Sequence, residues 1–191
     1  TQTQYDQSNN VIRTREYAMA LTGVQLTTLD AETDRQAYMA AQISNLSNET
    51  EDRISRYTYD AANQLNVTVN ALGAVIQNQY DNNGNLIQTW ANDAALDSVQ
   101  LTGLDNAINR NDYLSNLQEN RIDLTRDQIT RYVYDAANRL SYTVDGLGNV
   151  SQHRLDATGK LIEDIRYATA LVVDDVFTAA ELDPVLLTSN E

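Results

Sequence analysis

A stretch of 19 residues occurs twice in this chain, and its recurrence limits the fold more than any other feature. Tyr57 to Val75 reads YTYDAANQLNVTVNALGAV and Tyr132 to Val150 reads YVYDAANRLSYTVDGLGNV; 12 of the 19 positions are identical at an offset of 132 − 57 = 75 residues. A second segment keeps the same interval, opening at Gln4 (QYDQSNNVIRTREYAMAL), Gln79 (QYDNNGNLIQTWANDAAL) and Arg154 (RLDATGKLIEDIRYATAL). A fixed period held along a chain predicts a repeat architecture in which each unit packs mainly on its neighbours. We divide the chain accordingly into unit 1 at 4–78, unit 2 at 79–153 and a partial unit 3 at 154–191. It enters and leaves the repeat at different points, which reads as a window of a longer protein or a subunit with open ends.

Each unit reads as a β part followed by an α part. Tyr57 and Tyr59 flank Thr58, and Leu65, Val67 and Val69 alternate with polar residues. This period of two marks half-buried strands. Asp60-Ala61-Ala62-Asn63 fits a type I turn with Asn in the left-handed position, and Asn70 to Gly73 and Asp81 to Gly84 repeat it with Gly. The spacing predicts an antiparallel meander. The α part is expected to begin at capping boxes Thr27-x-x-Asp30, Thr102-x-x-Asp105 and Thr178-x-x-Glu181. One helix of moderate amphipathicity is expected behind each, with Leu104, Ala107, Ile108 and Leu114 on one face and Leu29, Gln36, Ala40 and Ile43 on the other copy's face. The helix should end near Asn45–Asn48 or Asn116–Asn120, with a short helix or loop leading to Arg56 or Arg131. The single Pro, Pro184, falls just inside the third capped segment. The fold class is therefore an α+β repeat: antiparallel β-meanders forming a continuous twisted sheet, each unit with a capped helical insertion.

The run Arg131-Tyr132-x-Tyr134-Asp135-x-x-Asn138-Arg139-Leu140, with its partner Tyr80-Asp81-x-x-Gly84-Asn85-Leu86-Ile87, resembles the YD repeats of RHS proteins. Asn138 replaces the usual Gly in the first and Gly84 keeps it in the second. About half of each unit is covered; the Leu-, Ala-, Asn- and Asp-rich half departs from the pattern as a helical insertion. The resemblance implies a secreted or cell-surface bacterial protein whose strands build a spiralling shell, tube, sheath or filament. It implies no enzyme here, because the family's self-cleaving aspartate region and variable toxin have no counterpart in these residues. The alternatives are an adhesin-type module contacting glycans or a partner cell, and the wall of a toxin-encapsulating cocoon. The expected partners are the chain itself, head to tail, or adjacent repeats of one longer chain.

Composition narrows the chemistry. A net charge of −14 opposes nucleic-acid binding, which needs clustered Lys and Arg. There is no Cys, so disulfides and thiolate catalysis are excluded. No apolar run approaches the roughly 20 residues of a membrane-spanning helix. His153 is the only His and stands where unit 1 has Asn78, so the repeat does not require it. No cofactor is expected. Calcium is weakly supported, since Asp81-Asn82-Asn83-Gly84-Asn85 lacks the distant Glu of a calcium loop. The glycosylation sequons at Asn45, Asn48 and Asn66 matter only where a glycosylating machinery acts.

Eleven Tyr stand against one Phe and one Trp, and nine of the eleven fall in or beside the β parts. They are read as cross-strand packing rather than a sugar platform, because they recur with the turns. Tyr57, Tyr59, Tyr132, Tyr134, Leu65 and Leu140 are expected to carry the inter-strand packing. Gly73, Gly84, Gly148, Gly159, Asn63 and Asn138 are expected to carry the turns, with Asp60, Tyr80, Asp81 and Asp135 completing the motif.

Overall fold

The computed structural model describes residues 1–118, 128–168 and 170. The third capped segment at Thr178, Pro184 and the helix end at Glu119-Asn120 lie outside them. The described residues form ten strands, ordered β1 to β10 as in the chain, and four helices, a β-rich α+β fold with an open antiparallel sheet. Contacts divide the chain into two compact units, Thr1–Tyr57 and Thr58–Glu191.

In the first, β1 (Gln2–Tyr5) pairs antiparallel with β2 (Val11–Glu16), and β2 with β3 (Arg53–Tyr59). Between β2 and β3 the chain makes two helices, α1 (Gly23–Ala31) and α2 (Arg35–Leu46). Here the expected cap is corrected. The N-cap is Thr22, whose hydroxyl accepts from the Gln25 amide at 3.3 Å while Gln25 Oε1 accepts from the Thr22 amide at 2.9 Å. Thr27 is inside the helix and donates to the Gly23 carbonyl. The single helix is also corrected: Glu32 is extended (ψ 137), and Asp34 caps α2 by accepting from the Ala37 amide. The break moves the expected stripe out of line. Gln36 and Ala40 are exposed, Leu29 and Ile43 half-buried, and Leu46 alone on α2 is buried.

In the second unit, β4 (Leu65–Val69), β5 (Val75–Tyr80) and β6 (Leu86–Ala91) pair in sequence. After α3 (Ser98–Asn106) and α4 (Arg110–Gln118), β7 (Gln128–Tyr134), β8 (Leu140–Val144), β9 (Val150–Leu155) and β10 (Leu161–Arg166) continue from β6. The N-cap of α3 is Asp97, not Thr102. Asp97 Oδ1 accepts from the Gln100 amide at 2.8 Å, and Gln100 Oε1 accepts from the Asp97 amide. Asn109 then restarts the helix by accepting from the Asn111 and Asp112 amides. Ile108, expected on the buried face, lies in this break and is fully exposed.

Valines 67, 69 and 75 from β4 and β5 pack with Leu96, Leu104 of α3 and Leu114 of α4. Burying each such side chain contributes about 1.5–3 kcal/mol. Gly103 allows the two helices to approach, since a Cβ there would overlap the Tyr113 hydroxyl.

Element positions recur at the sequence interval. α1 begins at 23 and α3 at 98; β3 spans 53–59 and β7 128–134; β4 spans 65–69 and β8 140–144. The corrected caps keep it too, Thr22 with Asp97 and Gln25 with Gln100.

Candidate functional site

The recurring construction is a five-residue turn, Asx-x-x-Asn/Gly-x, that closes seven hairpins. At Asp60, Oδ1 accepts from the Ala62 amide at 2.9 Å and the Gln64 amide at 2.8 Å. The Asp60 amide donates to the Gln64 carbonyl, and the Asn63 amide to the Asp60 carbonyl. Closing five residues this way needs a left-handed residue at the fourth position, which Gly adopts freely and Asn better than other residues. That position is Asn9, Asn63, Gly73, Gly84, Asn138, Gly148 and Gly159, with φ between 57° and 85°. The first position is Asp6, Asp60, Asn70, Asp81, Asp135, Asp145 and Asp156.

These turns set their own electrostatics. The Asn85 side chain and amide hold the Asp81 carboxyl below the ordinary carboxylate value, and Arg139 does the same for Asp135. For Asp156 the Thr158 hydroxyl is the main cause, and for Asp6 the Asn10 amide. Burial pushes Asp145 up, but bonds from the Asn149 side chain and amide outweigh it.

The tyrosine before the Asp ties one hairpin to the next. The Tyr80 hydroxyl donates to the Leu65 carbonyl at 2.9 Å, and the Tyr134 hydroxyl to the Leu86 carbonyl at 3.0 Å. Tyr-Asp and the following Leu are thus two ends of one contact between neighbouring hairpins. Burial pushes the Tyr134 hydroxyl pKa up, and Tyr132 and Asp81 add to it. Turns also meet directly. Asn138 Oδ1 accepts from Asn83 Nδ2 and Asn85 Nδ2, each at 3.1 Å, and Arg139 Nη1 donates to the Asp156 carbonyl.

Tyr57, Tyr59, Tyr132, Tyr134, Leu65 and Leu140 are half-buried. The fully buried strand residues are Val69, Tyr142, Val144 and Val150. Tyr59 offers its carbonyl to Asn111 Nδ2 at 2.7 Å, fixing the start of α4 to the sheet. Tyr38 and Tyr113, 75 residues apart on α2 and α4, were not among the residues expected to matter. Their hydroxyls donate to the carbonyls of Gln25 and Gln100, the capping-box glutamines, and hold each helix pair together. Their shared spacing was the available signal.

In the first unit Asp52 gathers three donors: Arg15 Nε at 2.7 Å, the Ala18 amide and the Asn48 amide. Both side chains of the ion pair are buried. Burial pushes the Asp52 pKa up, but the Ala18, Asn48 and Arg15 bonds outweigh it and leave it lowered. This anchors both ends of the helical insertion to β2 and β3.

Among the described residues no cluster of three or more His, Asp or Glu could hold a metal ion. The Asp81 loop uses Oδ1 and Oδ2 internally, on Asn83 and Asn85. No described helix is long and apolar enough to cross a membrane.

No protein-family model matches the chain, and no curated protein matches it. Among solved structures it is similar to a chain in the crystal structure of TcdB2-TccC3-Cdc42, with 14% identity and a TM-score of 0.46. The likeness covers 85% of this chain and 7% of that one.

Proposed function

We propose that this chain is a structural, non-enzymatic segment of a larger RHS/YD-repeat protein, exported to the surface of a bacterium, in which it forms part of a shell, tube or filament wall. The observation that carries the reading is the Tyr-Asp···Leu contact. It links each hairpin to the one before it and does not depend on where in the array it sits, as a growing wall requires. The turns, caps and helix pairs recur at the same 75-residue interval and serve the same end. No cofactor takes part.

The described sheet ends on β10, a strand exposed along most of its length, with Leu161 52% and Ile162 62% accessible. An exposed apolar strand edge is what a following hairpin covers, whether from the same longer chain or from another copy. The decisive experiment is electron microscopy of the purified chain beside its sedimentation profile. Rods or tubes that lengthen with concentration support assembly through the strand edges. A monodisperse particle at all concentrations removes self-assembly and leaves the segment as a wall piece within one chain. A globular particle whose proteolytic fragments do not respect the 75-residue interval would overturn the reading.

A further inference from the structure

The second repeat breaks the construction of the first at one place. In the first, β5 is tied twice to the Leu65 carbonyl, by Asn78 Nδ2 at 3.2 Å and by the Tyr80 hydroxyl at 2.9 Å. The residues 75 positions on are Leu140, His153 and Leu155. Leu155 has no hydroxyl to donate. The His153 ring is held elsewhere, with Nε2 3.1 Å from Thr143 Oγ1 and Nδ1 3.4 Å from Asp164 Oδ1. The β8–β9 ladder joins Tyr142, Thr143 and Val144 to Gln152, Ser151 and Val150. Beyond it the strands border an open cavity of about 240 Å³.

Polar groups line this cavity: Arg139, Ser141, Gln152, His153 and Arg154 among them. Their counterparts in the first repeat are Gln64, Asn66, Gln77, Asn78 and Gln79, none of them a cation. Two arginines have therefore been placed at the one point where the hairpins are not tied. Arg139 is engaged on all sides, by Asp135 and the Asp156 carbonyl. Arg154 meets Glu163 through Nη1 and keeps its side chain 56% exposed, so its fork is open to exchange one carboxylate for another.

We propose that this cavity binds one hydroxylated carboxylate of the uronic-acid class, its carboxylate on Arg154 and its ring hydroxyls on Ser141, Gln152 and His153. The volume fits a single sugar ring, and the open mouth lets a longer saccharide continue outward. The chain's net charge of −14 disfavours densely charged ligands and leaves a singly charged one as the better match. The proposal stands independently of the wall-segment reading.

The test is an NMR titration of the full chain with sodium glucuronate, with glucose and with sodium chloride at matched ionic strength as controls. The expected result is saturable amide shifts confined to residues near Ser141 and His153. A Kd on the order of 1 mM is the scale for a polar ligand of about a dozen heavy atoms. Arg154→Gln restores the residue of the first repeat on an exposed side chain and is expected to weaken binding at least tenfold. Leu155→Tyr supplies the missing hydroxyl and is expected to do the same, with the rest of the spectrum preserved. No saturable shift, equal shifts with glucose or chloride, or full affinity in Arg154→Gln would overturn the proposal.

Discussion

Leu96 donates its amide to the carbonyl of Gly73 across 2.8 Å, joining the segment before α3 to the tip of the Asn70 turn. The approach is so close that a Cβ on Gly73 would overlap the Leu96 carbonyl oxygen. Gly84 has the same left-handed backbone but meets only the end of the Gln64 side chain, at 3.3 Å. Gly84→Ala is expected to cost about 1 kcal/mol for the backbone alone. Gly73→Ala adds a backbone collision and is expected to cost on the order of 3 kcal/mol. Urea unfolding of both variants measures the difference; equal losses would remove the Leu96 contact as its cause.

The corrected caps make a paired prediction. Thr22→Ala and Asp97→Ala each remove the acceptor of a capping box and are expected to cost about 1 kcal/mol. Thr27→Ala and Thr102→Ala remove only hydroxyls bonded back to Gly23 and Ser98, and are expected to change stability little. Thermal melts of the four variants decide between the two placements.

Removing Asp52 leaves the buried Arg15 guanidinium and two amides without their acceptor. Asp52→Ala is expected to cost about 3 kcal/mol, the scale for breaking one side of a buried pair. Hydrogen exchange at Ala18 and Asn48 should rise with it. Unchanged exchange there would mean the insertion is held by other contacts.

The lowered Asp pKa values fix the direction of the acid response. Asp6, Asp52, Asp81, Asp135, Asp145 and Asp156 all titrate below the free value of 3.8 when folded. Their stabilisation is complete above that value and is lost as pH falls through the depressed folded values. Melting temperature is expected to hold between pH 7 and about 5 and to fall below about 4. Asp135→Asn keeps an oxygen for the Ala137 and Arg139 amides but loses the Arg139 ion pair. It should melt lower than the parent at pH 7 and converge towards it in acid.

The turns, strand boundaries and 75-residue interval were legible because each rests on local chemistry. An Asx three residues before Asn or Gly specifies its own hydrogen bonds, and alternation specifies a strand. The caps misled because Thr-x-x-Asp satisfies the same pattern as Thr22-x-x-Gln25 and Asp97-x-x-Gln100, and a single-turn break at 107–109 hardly disturbs an apolar count.

What the sequence determined by itself was the unit: its length, its turns, and the positions where a left-handed residue must stand. What only the tertiary structure decided was partnership. Tyr134 finds Leu86 across 48 residues and Arg15 finds Asp52 across 37, through strand neighbours that no local pattern names. A hydroxyl or guanidinium declares its need for a partner in the sequence. Which carbonyl or carboxylate meets it depends on the register of the sheet, and so does the cavity left where Leu155 offers none.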